Sequence, residues 1–106
     1  MKLGLDQAQN FLTSAAPIKR ETVEYFLKLN IPINKIFGMS ECAGPQTSTD
    51  PNNFPSFNDD WKSTVGITIE GTSVCCDKMD EKGEGELCFK GRNRFMGYYK
   101  NEQATR

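Results

Sequence analysis

The sequence predicts an α/β fold: a β-α-β crossover over the first 41 residues, then strands without further long helices. Three observations carry this. Two short apolar runs flank one helical stretch; a long polar segment follows; and the remainder alternates in the manner of strands. The expected divisions are 1–41, 42–63 and 64–106.

Phe11 and Leu12, within Gln9–Thr13, predict the first strand, and Ser14-Ala15-Ala16-Pro17 stops it with small residues and a proline. Lys19–Leu29 is predicted as a helix. Val23, Phe26, Leu27 and Asn30 recur at helical spacing, so the expected buried stripe ends on a polar residue. Pro17 precedes this helix, and Asn30 with Pro32 closes it. Ile33–Phe37 predicts the second strand.

Residues 42–63 are rich in Pro, Asn, Asp, Ser and Thr, with Phe54, Phe57 and Trp61 spread among them. The stretch is too long for an ordinary connection and reads as a functional loop or a linker. Beyond it, Gly66–Cys76 carries Ile67, Ile69 and Val74, broken by Gly71. Asp77–Gly85 is a charged turn. Glu86–Lys90 alternates so that Leu87 and Phe89 share a face, with Gly91 ending it. Phe95–Tyr99 is a dense apolar and aromatic cluster, and Asn101–Arg106 starts a helix.

Composition excludes several classes. Thirteen Lys and Arg against fourteen Asp and Glu give net charge −1, with no basic footprint for nucleic acid. There is no histidine, which removes Ser-His-Asp, Cys-His and HExxH chemistry from this chain. No apolar run is long enough for a transmembrane helix, and the start does not read as a signal peptide. Cys42, Cys75, Cys76 and Cys88 match no paired CxxC pattern. Cys75 and Cys76 are expected on opposite faces of a strand. Free thiols in a reducing cytosol are the expectation, with a disulfide framework as the alternative. Hydrophobic residues amount to 37%, lean for a self-sufficient core. The chain is therefore expected to be an internal piece of a longer protein; a small domain with frayed ends is the alternative.

Two strand exits carry candidate chemistry. Phe37-Gly38-Met39-Ser40-Glu41 offers an aromatic face, a glycine that admits close backbone approach, a hydroxyl donor for phosphate and a carboxylate suited to Mg²⁺. Ser14-Ala15-Ala16 leaves room for a flat ligand at the neighbouring exit. In open α/β sheets, ligands bind at the carboxyl ends of strands. The plainer alternatives are an ordinary strand exit with a solvated Glu41 and a tight turn into a helix.

Thr13-Ser14-Ala15-Ala16-Pro17, Phe37-Gly38-Met39-Ser40-Glu41, Thr64-Val65-Gly66, and Gly85-Glu86-Leu87-Cys88-Phe89-Lys90-Gly91 followed by Met96-Gly97-Tyr98-Tyr99 and Thr105 stand in this order. Together they resemble the adenylate-forming superfamily of acyl-CoA synthetases, luciferases and peptide synthetase adenylation domains. Glu24-Tyr25-Phe26-Leu27, Ile31-Pro32-Ile33 and Met39-Ser40-Glu41-Cys42 resemble its long-chain fatty acid–CoA ligases of the bubblegum type. The resemblance implies a fragment of an adenylate-forming N-terminal domain that uses ATP, Mg²⁺, CoA and a fatty acid. The fatty carboxylate would attack the α-phosphate to give acyl-AMP and pyrophosphate, and the CoA thiol would then form the thioester. Phe37 would stack on adenine, with Ser14, Ala15 and Ala16 lining the other side. Gly38 would admit the nucleotide, Ser40 would contact phosphate and Glu41 would bind Mg²⁺. The family often has glycine at the place of Ser14 and usually tyrosine at that of Phe37. Its phosphate loop, ribose-binding aspartate and catalytic lysine fall outside these residues, so no catalytic residue is assigned here and the chain alone is expected to be inactive. The expected location is the cytoplasm, with peripheral membrane association left open. The competing readings are a non-catalytic nucleotide-binding or interaction module and another acid–thiol ligase of the same superfamily.

Overall fold

The computed structural model describes residues 4–49 and 62–105. The elements are β1 (Phe11–Thr13), α1 (Arg20–Lys28), β2 (Ile33–Phe37), β3 (Thr47–Ser48), β4 (Ile67–Thr68), β5 (Thr72–Asp77), β6 (Glu86–Gly91) and α2 (Glu102–Thr105). The chain divides into two compact units: residues 1–37 with 47–67, and residues 38–46 with 68–106. Each unit is thus built from separate stretches of sequence.

In the first unit, β1 and β2 pair in parallel, Phe11 opposite Ile33 and Thr13 opposite Lys35, so α1 completes the expected crossover. Val23 on α1 is fully buried, and Ile33 is the other buried hydrophobic residue among those described. Arg20 pairs with Glu24 one turn on at 2.9 Å, and Lys62 approaches the same carboxylate at 3.7 Å. The Arg20 bond holds Glu24 below the usual carboxylate range. The helix closes with Ile31 N–H donating to Phe26 O and Asn30 N–H to Leu27 O, the bonding of a Schellman motif. Asn30 stands at φ +59 and is exposed. It therefore terminates the helix instead of extending the buried stripe, because Asn tolerates the left-handed conformation that this closure needs.

The segment read as a loop contains β3. Ile36 and Phe37 of β2 face Ser48 and Thr47 in antiparallel register, and the sheet order is β1-β2-β3-β4. Its polarity hid the strand: Thr47 and Thr49 are buried through hydrogen bonds, not through apolar contact. Thr49 Oγ1 accepts the Lys35 N–H at 2.7 Å, and Thr49 N–H donates to Lys35 O at 2.9 Å. Ser48 and Thr49 hydroxyls both donate to Asn34 Oδ1, and Thr47 donates to Val65 O at 2.7 Å. Burial also lowers the pKa of Lys35. Phe54, Phe57 and Trp61, expected to pack on something, lie outside the described residues.

The stretch from Gly66 to Cys76 is broken at Gly71 as expected: Gly71 takes φ +85, and β5 follows it in the second unit. β5 and β6 form an antiparallel hairpin with Val74 opposite Phe89 and Cys76 opposite Leu87. Phe89 and Leu87 therefore share a face as expected, although Leu87 is exposed. The charged turn between them is organised by Asp80, whose carboxylate accepts the N–H groups of Lys82 and Glu84. Among the described residues no helix is long and apolar enough to cross a membrane.

Gly66 stands at φ +96, and a Cβ there would overlap the backbone of Ser48 and Thr49. Gly66→Ala is expected to destabilise the chain by at least about 1 kcal/mol, since the clash is with backbone and cannot rotate away. Urea denaturation followed by circular dichroism checks this; an unchanged midpoint would exclude the tight approach.

Candidate functional site

Within the first unit, the parallel register places the two expected strand exits on the same edge of the sheet. Thr13 lies opposite Lys35, so Ser14-Ala15-Ala16 leaves β1 at the end where Phe37 closes β2. All three small residues are exposed and Phe37 is half-buried. Ala16 N–H donates to Ser14 O at 3.1 Å around Ala15, which stands at φ +76. This is a γ-turn of the strained hand, uncommon for a residue with a side chain. Nothing in a Ser-Ala-Ala-Pro run signals it, because alanine has no intrinsic preference for positive φ.

Gly38, Ser40 and Glu41 belong to the second unit, in the Gly38–Gln46 segment that departs from Phe37. Gln46 organises this segment. It is fully buried; its Oε1 accepts the Met39 N–H at 3.1 Å and its Nε2 donates to Gly44 O at 2.7 Å. Its carbonyl accepts the Ile69 N–H at 2.9 Å. Gly38 packs closely on Pro45, where a Cβ would come within 3.4 Å of the Pro45 Cα. Ser40 is exposed.

The segment is then stitched to residues 93–95. Phe95 N–H donates to Glu41 O and Ala43 N–H to Asn93 O, each at 2.8 Å, around an isolated antiparallel bridge between Cys42 and Arg94. This brings the Glu41 end of one motif to the aromatic cluster of another. Tyr98 Oη donates to Glu41 Oε1 at 2.5 Å. Phe95 packs edge-on against the Tyr98 ring, centroids 4.8 Å apart. Tyr98 N–H donates to Thr105 Oγ1 at 3.0 Å, and that hydroxyl donates to Asn101 O at 2.7 Å. Gly97, at φ +144, has no room for a Cβ against the Thr105 side chain. Gly97, Tyr98 and Thr105 thus act as one device that presents a phenol to Glu41.

The hydrogen bond from Tyr98 holds the Glu41 carboxyl below the usual carboxylate range, helped by its own backbone N–H. The same bond raises the Tyr98 phenol. The Tyr98 bond therefore orients the Glu41 carboxylate. No cluster of three or more metal-ligating side chains occurs among the described residues. A single oriented carboxylate suits Mg²⁺, which keeps most of its ligands as water and phosphate oxygens. An open cavity of about 390 Å³ in this unit is lined by Gly44, Glu70 and Arg92 among others. None of the expected nucleotide or metal residues lines it. Sequence reasoning missed Gln46, which sits unmarked in a polar run, and the Tyr98–Glu41 bond, which joins distant positions.

The profile of the AMP-binding enzyme family matches residues 3–99. The chain is 42% identical over 104 residues to the chicken (Gallus gallus) long-chain-fatty-acid–CoA ligase ACSBG2, covering 98% of this chain and 13% of that protein. It is 37% identical over 103 residues to the human (Homo sapiens) ACSBG2, covering 97% of this chain and 15% of that one. A solved long-chain-fatty-acid-CoA ligase, FadD1 from Archaeoglobus fulgidus, superimposes with a TM-score of 0.70 at 29% identity, over 90% of this chain and 21% of that one. The anthranilate CoA ligase AuaEII, solved with anthranoyl-AMP, shares the fold with a TM-score of 0.71 at 14% identity, over 90% of this chain and 18% of that one. The chain thus spans a small part of the relatives it matches.

Tyr98→Phe should raise the Glu41 pKa towards its ordinary value. Carboxyl-carbon NMR titration reads this directly, and an unmoved Glu41 would rule out the bond. The pH dependence has a fixed sign. Because the carboxyl is lowered in the folded state, its contribution to stability is present above the unfolded carboxylate pKa and fades as pH falls through the folded value. Because the phenol is raised, its contribution is present below the unfolded tyrosine pKa and fades as pH climbs through the folded value. Tyr98→Phe should remove the phenol dependence and weaken the carboxylate one, which the Glu41 backbone N–H still supports. Separately, Ala15→Gly should stabilise the chain by about 1 kcal/mol, through relief of positive-φ strain; equilibrium denaturation checks it, and a loss of stability would contradict the turn.

Proposed function

The chain belongs to the AMP-binding enzyme family, and from that premise we propose that it is the nucleotide- and metal-contacting segment of a long-chain fatty acid–CoA ligase. The single observation that carries this reading is the oriented, ionised carboxylate of Glu41, held by Tyr98 beside a strand exit. The proposed reaction joins ATP, a fatty acid and CoA. The fatty carboxylate attacks the α-phosphate, pyrophosphate leaves, and the CoA thiol displaces AMP from the acyl-AMP.

In this reading Phe37 offers its ring face to adenine, and the exposed turn at Ser14, Ala15 and Ala16 lines the opposite side with backbone and small side chains. Gly38 keeps the approach open. Ser40, exposed at the same exit, donates its hydroxyl to a phosphate oxygen. Glu41 holds Mg²⁺ through its carboxylate. The cation, when bound, supplies charge that offsets the negative charge developing at phosphorus. The chain spans 13% of the chicken relative. We therefore place positioning of the nucleotide here and assign the remaining steps to the full-length protein, so these residues alone should not turn over. A cytoplasmic location belongs to the same proposal.

The test is a chimera in which this chain replaces the matching stretch of the chicken ligase. With the native segment, single-turnover acyl-AMP formation at saturating Mg²⁺ is expected. Glu41→Gln is nearly isosteric but uncharged, and should slow adenylation by at least about tenfold. Wild-type rates from that variant would remove Glu41 from the metal role. A folded chimera without adenylation would overturn the ligase reading itself.

A further inference from the structure

The hairpin of β5 and β6 sets Cys75 directly opposite Cys88. Both are free thiols, Cys75 exposed and Cys88 half-buried. Strand alternation puts their side chains on the face that also carries Ser73, Asp77, Glu86 and Lys90, while Val74, Cys76, Leu87 and Phe89 take the other. Cys76 is thus excluded from the pair although it is adjacent in sequence.

Directly opposed residues in an antiparallel ladder have Cα atoms about 4.5 or 5.5 Å apart, depending on the bonding alternation. Both spacings fall within the range of about 4.4–6.8 Å that a disulfide spans. The Cα spacing of the ladder is therefore compatible with a cross-link. Burial, together with the negative charges of Glu86 and Asp77 and the Cys75 sulfur, pushes the Cys88 thiol up.

We propose that Cys75 and Cys88 form a dithiol modification site, closed to a cross-strand disulfide by a two-electron oxidant of the hydroperoxide class. The exposed Cys75 sulfur attacks a peroxide oxygen as the thiolate. The O–O bond breaks, the leaving oxygen takes up a proton and departs as water (from an alkyl hydroperoxide, as the alcohol), and Cys75 becomes a sulfenic acid. The Cys88 sulfur then attacks the Cys75 sulfur. The S–O bond breaks, and the departing hydroxide carries off the Cys88 proton as a second water. Two thiols lose two electrons, and one peroxide gains them. This site lies outside the groups assigned to nucleotide and metal, so it stands or falls independently of the ligase reading.

The experiment treats the reduced chain with stoichiometric hydrogen peroxide, blocks remaining thiols and maps tryptic peptides. The expected product is a monomer lighter by about 2 Da before blocking, for the two hydrogens lost, with peptide 63–78 linked to peptide 83–90 and the link reversed by dithiothreitol. Cys76→Ser should keep the link, and Cys75→Ser should reduce it at least about tenfold. A link that persists in Cys75→Ser, oxidation that stops at sulfinic acid, or the same cross-link yield in urea-unfolded chain would each overturn the proposal. The last comparison separates pairing imposed by the hairpin from chance encounter.

Discussion

Scarcity of buried apolar surface governs this structure. Val23 and Ile33 are the buried hydrophobic residues among those described, while Leu12, Met96 and Tyr99 stand largely exposed. Backbone that apolar packing cannot fix has to be fixed by directed bonds. In the first unit Thr49 does this, bonding Lys35 and Asn34 across the β2–β3 pair. In the second unit Gln46 does it, spanning its own segment from Met39 to Gly44. Both side chains are buried, and no buried side-chain polar atom among the described residues lacks a partner. Under-satisfied groups in so lean a core would be costly, because each would forfeit its hydration without return.

The crossover was legible because periodicity and punctuation agreed there: Val23, Phe26 and Leu27 mark one face of α1, and proline and asparagine bracket it. The same reading counted Asn30 into the stripe, since spacing alone cannot tell a buried position from a capping one. β3 was illegible for a different reason. Its Thr-Ser pair carries no hydrophobic alternation, and its strand character comes from side-chain bonds to β2 that no local pattern announces. The break at Gly71 was visible as a glycine, but whether it bends a strand or separates two depends on pairing elsewhere.

The candidate site divides similarly. Glu41, Ser40 and Phe37 were accessible as residue types at a strand end, and Ser14 to Ala16 as small residues at its neighbour. What holds Glu41 was not. Tyr98 belongs to a motif far along the chain, and its approach depends on the bonds of Glu41 and Ala43 to residues 93–95. Two motifs that the sequence presents as separate landmarks are halves of one arrangement, in which Gly97 and Thr105 serve the phenol and the phenol serves the carboxylate.

The Gly38–Gln46 segment leaves and returns through one cross-strand pair, Phe37 with Thr47. Its two ends are therefore tied together, and Gln46 ties its interior again. A loop closed twice has a fixed contour. Replacing an exposed side chain along it leaves both closures intact, but adding or deleting a single residue breaks the register of one or the other. Across natural variants, such a segment should hold its length, which is the reverse of how surface loops ordinarily diverge.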